Sequence, residues 1–312
     1  MVTERWYIIL EAAELRADRP LGVTRLGERL VLWRSGSAVY ATGDRCPHRG
    51  ASLALGKVQG ACVACPFHGF EFDGEGKCTH IPEYGPDKKP PAAMRVRSYP
   101  LREAHGFLWL WWGVVPATLP EIPWFPELDS GYAWHGFSDD WDTHYTRAVE
   151  NQLDFTHLPF VHHNTIGRGM KPQLRVITEH EGDRLKITYD PSTYDAKGFF
   201  IELVAPNLWR NRLAPGLWAV AAFVPVEGNR TRLYLRFYQN YVRLPLVGWL
   251  VCYGMNVVNR YILRQDKAVV LSQLPQAVTP ELREVLVAGD APIAFWRRWL
   301  RTNGKVHLEE EE

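Results

Sequence analysis

Cys46-Pro47-His48 places a thiol and an imidazole two positions apart, and after sixteen intervening residues Cys65-Pro66-Phe67-His68 offers a second of each. Thiolates and neutral imidazoles are the donors that hold transition metals, so two loops with one of each suit a shared centre. A 2Fe-2S cluster with two thiolates on one iron and two imidazoles on the other needs this set, and histidine in place of cysteine raises its potential. Such a centre relays electrons singly. A tetrahedral Cys2His2 zinc site is the alternative, but there the cysteines usually come as one pair and the histidines as another.

Further on, His157 and His162 lie five residues apart. On one continuous helix they would point about 140° away from each other. Pro159 between them predicts a break: a helix ending near Leu158 would project His157 from its last turn, while His162 approaches from the next segment. Two imidazoles and a carboxylate with open positions form the facial set of dioxygen-activating non-haem Fe(II) sites. Asp266 is the candidate carboxylate, because Ile262, Leu263, Val269 and Val270 surround it at helical spacing and put an acid on an apolar face. Pairing with Arg264 or Lys267 is the alternative, though both are too close in sequence to face it. Asp154, three residues before His157, is placed to hydrogen-bond that imidazole from one helix face.

The stretch Arg45-Cys46-Pro47-His48-Arg49-Gly50 and the stretch from Cys65 to Asp73 resemble the two signature boxes of Rieske domains. Respiratory Rieske proteins carry an extra cysteine in each box; Ala51 and Phe67 stand there instead, which favours the oxygenase and ferredoxin branch. The run Glu150 to His162 is similar to the iron-binding motif of Rieske oxygenase α subunits, nearest the homomeric monooxygenase branch with its O-demethylases. That resemblance implies a terminal oxygenase that takes electrons from NAD(P)H through a separate reductase or ferredoxin and uses O2 to hydroxylate or demethylate a small molecule. It implies a head-to-tail homotrimer in which Asp154 bridges cluster His68 of one subunit to iron ligand His157 of the next. It also implies an active-site place for Asn151, near the iron without firmly ligating it. A pure electron carrier with a ligand-binding second domain, or an oxygenase performing desaturation or ring formation, are the other readings.

The elements that must position these groups fall into two kinds. Short β-rich runs from Trp6 to Trp112 (6–10, 22–26, 29–34, 38–42, 94–99, 107–112) predict an antiparallel β domain over residues 1–115. Four prolines between Val115 and Ser130 suit a connector over 116–130. The remainder, 131–312, is expected to be α+β and helix-grip-like: a helix over Arg147 to His157, strands near 173–179, 184–189, 199–204, 217–226 and 231–241, and a long helix over about Gly248 to Gln273. Trp209, Trp218, Phe223 and Tyr238 are candidate pocket aromatics. Leu244 to Met255 reads as a core helix, too short for a membrane span.

The 312 residues suit roughly two domains. A net charge of +1 excludes a global field for nucleic acid. Five cysteines, four within 46–78, point to metal chemistry before disulfides, with Cys62 and Cys78 outside the ligand pattern and expected as small buried hydrophobes. No signal-like start is present, so a cytoplasmic location is expected. The chain has no G-x-G-x-x-G, which places the nicotinamide and flavin steps on another protein. Arg45 and Arg49 suit an acidic redox partner, with solvated surface charge as the plainer reading. The acidic end, Glu309 to Glu312, reads as a solvated tail.

Overall fold

A computed structural model of the chain describes residues 1–85, 88–192, 198–279 and 282–304; the acidic end lies outside them. The chain forms two compact units, Glu4–Ile122, and Pro123–Glu312 together with Met1–Thr3.

The first unit is built from eleven strands: β1 (Arg5–Glu11), β2 (Leu21–Arg25), β3 (Glu28–Ser35), β4 (Ala38–Gly43), β5 (Lys57–Gln59), β6 (Cys62–Ala64), β7 (Glu71–Phe72), β8 (Cys78–His80), β9 (Ser98–Tyr99), β10 (Leu101–Ala104) and β11 (Phe107–Trp112). They make three sheets, β1-β11-β10, β2-β3-β4-β9 and β5-β6-β7-β8. The long apolar runs give the strands that sequence patterning finds. Strands β5 to β8 hold two or three residues each, too few for an alternation to register. The expected run 94–99 shrinks to Ser98–Tyr99. Trp33, Leu53, Val63, Phe72 and Ile81 pack around Cys46 and Cys65 in one apolar cluster, so the thiols sit on a firm base.

The second unit is one seven-stranded antiparallel sheet with helices. Its strands are β12 (Ala133–Trp141), β13 (Val176–Glu181), β14 (Arg184–Tyr189), β15 (Phe200–Val204), β16 (Leu208–Ala214), β17 (Leu217–Pro225) and β18 (Thr231–Gln239), ordered β12-β18-β17-β16-β15-β14-β13. Two of these strands are absent from the sequence expectation. The β12 sequence AWHGFSDDW carries Gly136, Asp139 and Asp140, which are depleted from strands, and the β16 sequence LWRNRLA has Asn211 between two arginines and no β-branched residue; long-range pairing overrides those local preferences.

The helices are α1 (Tyr145–Leu153), α2 (Leu158–Val161), α3 (Pro245–Val270) and α4 (Ala291–Asn303). The single helix expected over 147–157 is therefore two: α1 ends at Leu153, and Asp154 is already extended (φ −86°, ψ 126°). Pro159 stands in the first turn of α2, where its missing N–H costs nothing, so it starts a helix rather than ending one.

Helix α3 begins at Pro245 and stops at Val270, shifted about three residues from expectation. The core reading of Leu244 to Met255 is overturned, since Leu246 is 72% and Leu250 51% exposed. The buried face is made by Gly248, Cys252, Asn256, Leu263, Asp266 and Val270. It follows β12 step by step: Cys252 Sγ donates to Ala133 O (3.3 Å), Asn256 Nδ2 to His135 O (2.7 Å), and Lys267 Nζ reaches Asp139 Oδ1 (3.1 Å). Four helical residues rise about as far as two strand residues, which keeps the two elements in register. Among the described residues, no helix is long and apolar enough to cross a membrane.

A buried ion cluster pins α1 to α4. Glu150 accepts from Arg147 (2.9 Å) and Arg297 (2.6 Å), and both guanidinium groups also reach Glu284 at 2.6 Å. These charges are paired on every side, which is the condition for keeping them out of water.

Candidate metal centres and the adjoining cavity

In the first unit the two Cys/His loops are built alike. Cys46 N donates to Ala51 O (2.8 Å) and Gly50 N to Cys46 O (2.8 Å); Cys65 N donates to Phe70 O (2.8 Å) and Gly69 N to Cys65 O (3.0 Å). Gly50 (φ 73°) and Gly69 (φ 72°) take the left-handed turn that closes each loop, a conformation a side chain would strain. Asp44, unremarked in the sequence, ties the first loop down: its carboxylate accepts from Ser52 Oγ and Ala54 N, each at 2.7 Å.

Cys46 and Cys65 are buried, whereas His48 and His68 are exposed with ring centroids 4.8 Å apart. Phe70 stacks on His48 at 4.8 Å. Burial pushes the Cys46 thiol up to about 11, and the neighbouring Cys65 thiol adds to this against the backbone N–H groups of His48 and Arg49. A buried thiol so placed resists ionisation until a cation joins it. A thiol pair inside and an imidazole pair outside give the arrangement two ends, which fits a binuclear group. The four donors do not gather on one point as a tetrahedral zinc site requires; among the described residues only His157, His162 and Asp266 bring three donor atoms within 4.8 Å of one another. Cys62 and Cys78 are half-buried rather than buried, with Cys62 Sγ 3.6 Å from Thr79 Oγ1.

In the second unit, Asp266 Oδ1 lies 3.3 Å from His157 Nε2, 3.0 Å from His162 Nε2 and 3.1 Å from Asn151 Nδ2. Neighbouring ligands of an octahedral ion with bonds of roughly 2.1 Å stand about 3 Å apart, the separation of Asp266 Oδ1 from each imidazole, and all three donor atoms lie within 4.8 Å of one another. The pairing of Asp266 with Lys267 or Arg264 does not occur with Lys267, whose ammonium goes to β12.

His162 Nδ1 lies 3.0 Å from Gln265 Oε1, which directs its Nε2 inward; Gln265 gave no signal in the sequence beyond adjoining Asp266. Asp154 Oδ1 accepts from Thr156 N (2.6 Å) and Oγ1 (2.7 Å), leaving Oδ2 3.5 Å from His157 Nδ1. The contact runs across a turn, not along a helix face. At 3.5 Å it is an electrostatic approach longer than a formed hydrogen bond. Burial opposes charge on His157, yet the Asp154 and Asp266 carboxylates hold its pKa up to about 9. Burial would likewise raise Asp266, but the two imidazoles hold it down at about 2.

A cavity of about 480 Å³ opens beside these three residues. Its apolar wall includes Phe155, Leu158, Tyr189, Phe199, Trp209 and Leu235. Of the four candidate aromatics only Trp209 lines it. Phe223 is core, and Trp218 binds Tyr132 Oη (3.2 Å) on the other side of the sheet. Strand alternation separates them: Trp209, Asn211 and Leu213 of β16 face the cavity, while Arg210 and Arg212 face away.

Comparison with known proteins gives matches over both units. The profile of the Rieske [2Fe-2S] domain matches residues 5–100, and that of the vanillate O-demethylase oxygenase C-terminal domain matches 141–203. Protein TIC 55, chloroplastic, of Arabidopsis thaliana is 28% identical over 96% of this chain. The vanillate O-demethylase oxygenase subunit of Pseudomonas sp. (strain ATCC 19151) is 33% identical over 64%. The chain spans 59% and 60% of those two proteins, less than two thirds of either. Among solved structures, Pseudomonas putida CBB5 NdmA superposes with a TM-score of 0.80 at 26% identity, covering 96% of this chain and 89% of that one.

Proposed function

The chain belongs to the α subunits of the Rieske non-haem iron oxygenases, and from that membership we propose that it is the terminal oxygenase of a monooxygenase system. The reaction is hydroxylation or oxidative demethylation of a largely apolar cyclic or aromatic molecule: one O2, two electrons and two protons convert C–H to C–OH with release of water. The observation that carries this reading is the convergence of His157, His162 and Asp266 on one point at the wall of an apolar cavity.

His157, His162 and Asp266 would hold an iron ion, which would supply dioxygen activation, and Cys46, His48, Cys65 and His68 would hold a 2Fe-2S cluster, which would supply electrons one at a time. The chain's own residues set the conditions. Asn151 holds Asp266 Oδ1, and Gln265 fixes the ring of His162. Asp154 steadies His157 and links it to His68 of a neighbouring subunit in a homotrimer. The cavity wall positions the substrate and excludes water. Electrons come from NAD(P)H through a separate reductase or ferredoxin, and the cytoplasm is the compartment this reading assumes.

Metal analysis tests the proposal. Three irons per chain are expected, with His157→Ala retaining the cluster's two and losing reductase-dependent O2 uptake. Two irons in the wild type, unchanged by His157→Ala, would mean an electron carrier.

A further inference from the structure

Four side-chain amides line the cavity: Asn151, Gln152, Asn211 and Asn259. Three are committed. Asn151 donates to Asp266 Oδ1 (3.1 Å) and accepts from Gln152 Nε2 (2.8 Å), while Asn259 Nδ2 donates to Asn256 Oδ1 (3.0 Å). Asn211 is different. Its Oδ1 is buried without a hydrogen-bond partner among the described residues. A buried polar group left unpaired is disfavoured, and in a cavity wall it marks the place where a ligand completes the bond.

The charges are as informative as the amide. Apart from His157 and His162, no described lining residue carries a basic side chain, and Asp154 and Asp266 add two carboxylates to the lining. The nearest strand cations, Arg210 and Arg212, point to the opposite face of the sheet, where Arg210 is engaged by Glu202 and Glu127 and both lie over Trp218. A one-residue change of register in β16 would turn both guanidinium groups inward. In the register observed, a carboxylate or sulfonate entering this apolar space would lose its hydration, and no arginine or lysine among the described lining residues would pair with it. Partly exposed Ile166, Leu213, Met255 and Val258 form an apolar rim.

We propose that the cavity selects an uncharged, largely apolar molecule bearing a hydroxyl, carbonyl or amide group, and that Asn211 is the specificity residue that recognises that group. This rests on the reading of the cavity as the substrate site. Either orientation of the carboxamide serves, because it offers a donor and an acceptor without charge. A site built to pair a polar group discriminates against the analogue that lacks it, since its own group then stays unpaired.

Isothermal titration of the iron-loaded protein with three matched bicyclic probes tests this without turnover. 6-Methoxy-2-naphthol is expected to bind about tenfold more tightly than 2-methoxynaphthalene, and 6-methoxy-2-naphthoate more weakly than both. Asn211→Leu, close in volume and free of the unpaired oxygen, should fold and should erase the naphthol's advantage, leaving 2-methoxynaphthalene within about twofold of wild type. Asn211→Asp keeps an acceptor and should retain the naphthol while weakening the naphthoate further. Naphthoate binding as well as the naphthol, an unchanged preference in Asn211→Leu, or no binding of either neutral probe would overturn the inference. The iron count separates the two readings. Protein with the ligand preference but without a third iron keeps this inference and loses the oxygenase; a third iron without the preference does the reverse.

Discussion

Asp266 Oδ1 is the point on which three side chains from two other segments converge, and this makes its neighbours' second contacts the ones that decide function. Asp154 is the sharpest case. Its Oδ1 is used up in holding Thr156, so the Oδ2 that faces His157 is free of structural duty. Asp154→Asn retains the Thr156 acceptor and removes the charge. It is expected to leave the iron content at the wild-type level while slowing single-turnover reoxidation of the cluster about 100-fold, the upper end for partners of metal ligands. Loss of iron, or wild-type reoxidation, would exclude a role in linking the sites. At this scale the sequence was readable wherever chemistry demands a residue type: the Cys/His loops, the two histidines and the acid on an apolar helix face. Asp44, Gln265 and Thr156 stayed hidden because a side chain that merely orients another looks like any polar residue until the fold joins them.

At the scale of elements, α1 carries Asn151 and leads into the His157 turn, so its first turn bears on the site. His144 is its N-cap: Nδ1 lies 2.8 Å from Thr146 Oγ1, which itself accepts from Val278 N (3.1 Å). Nδ1 also accepts from Thr146 N (3.5 Å), so in this cap the ring nitrogen is an acceptor and the ring is neutral, with the Thr146 hydroxyl donating to it. Burial, with the chain's N-terminal charge adding to it, lowers the His144 pKa to about 4 from 6.5. The folded pKa lies below the unfolded one, so the stabilisation is whole above about pH 6.5 and is lost as pH falls toward 4. Over that window it amounts to about 3 kcal/mol. Asn caps without titrating, so the stability difference between wild type and His144→Asn, read from urea midpoints, should shrink by about that amount from pH 7 to pH 4. A constant difference would show that the ring charges freely. The surrounding elements were only partly legible for a related reason. Runs such as Phe107–Trp112 declare themselves through apolar content, whereas β12 and β16 exist because neighbouring strands pair with them. Pro159 was read as a stop because proline is a stop in the middle of a helix and a start in its first turn, and sequence alone does not say which turn it occupies.

Across the molecule, the two candidate centres differ in how the chain encloses them, and removal of metal should expose the difference. The cluster residues come from two loops of one unit, with both thiols seated in the apolar cluster around Trp33 and Phe72. The other centre joins residues 104 positions apart, His162 and Asp266, and it opens on a cavity. An ion held by three side chains with open positions exchanges with a chelator far more readily than a cluster bonded through buried sulfurs. Dialysis of the reduced protein against EDTA is therefore expected to remove roughly one iron in three while the cluster's visible absorption persists. The loss should lower the melting temperature of Pro123–Glu312 alone, because an ion that binds only the folded state stabilises the unit that holds it. Added Fe(II) should restore both the iron and the melting temperature. Cluster absorption falling in step with the iron would show instead that the histidine-carboxylate set holds none of it, and the assignment of Asp266 as a ligand would fall with that result.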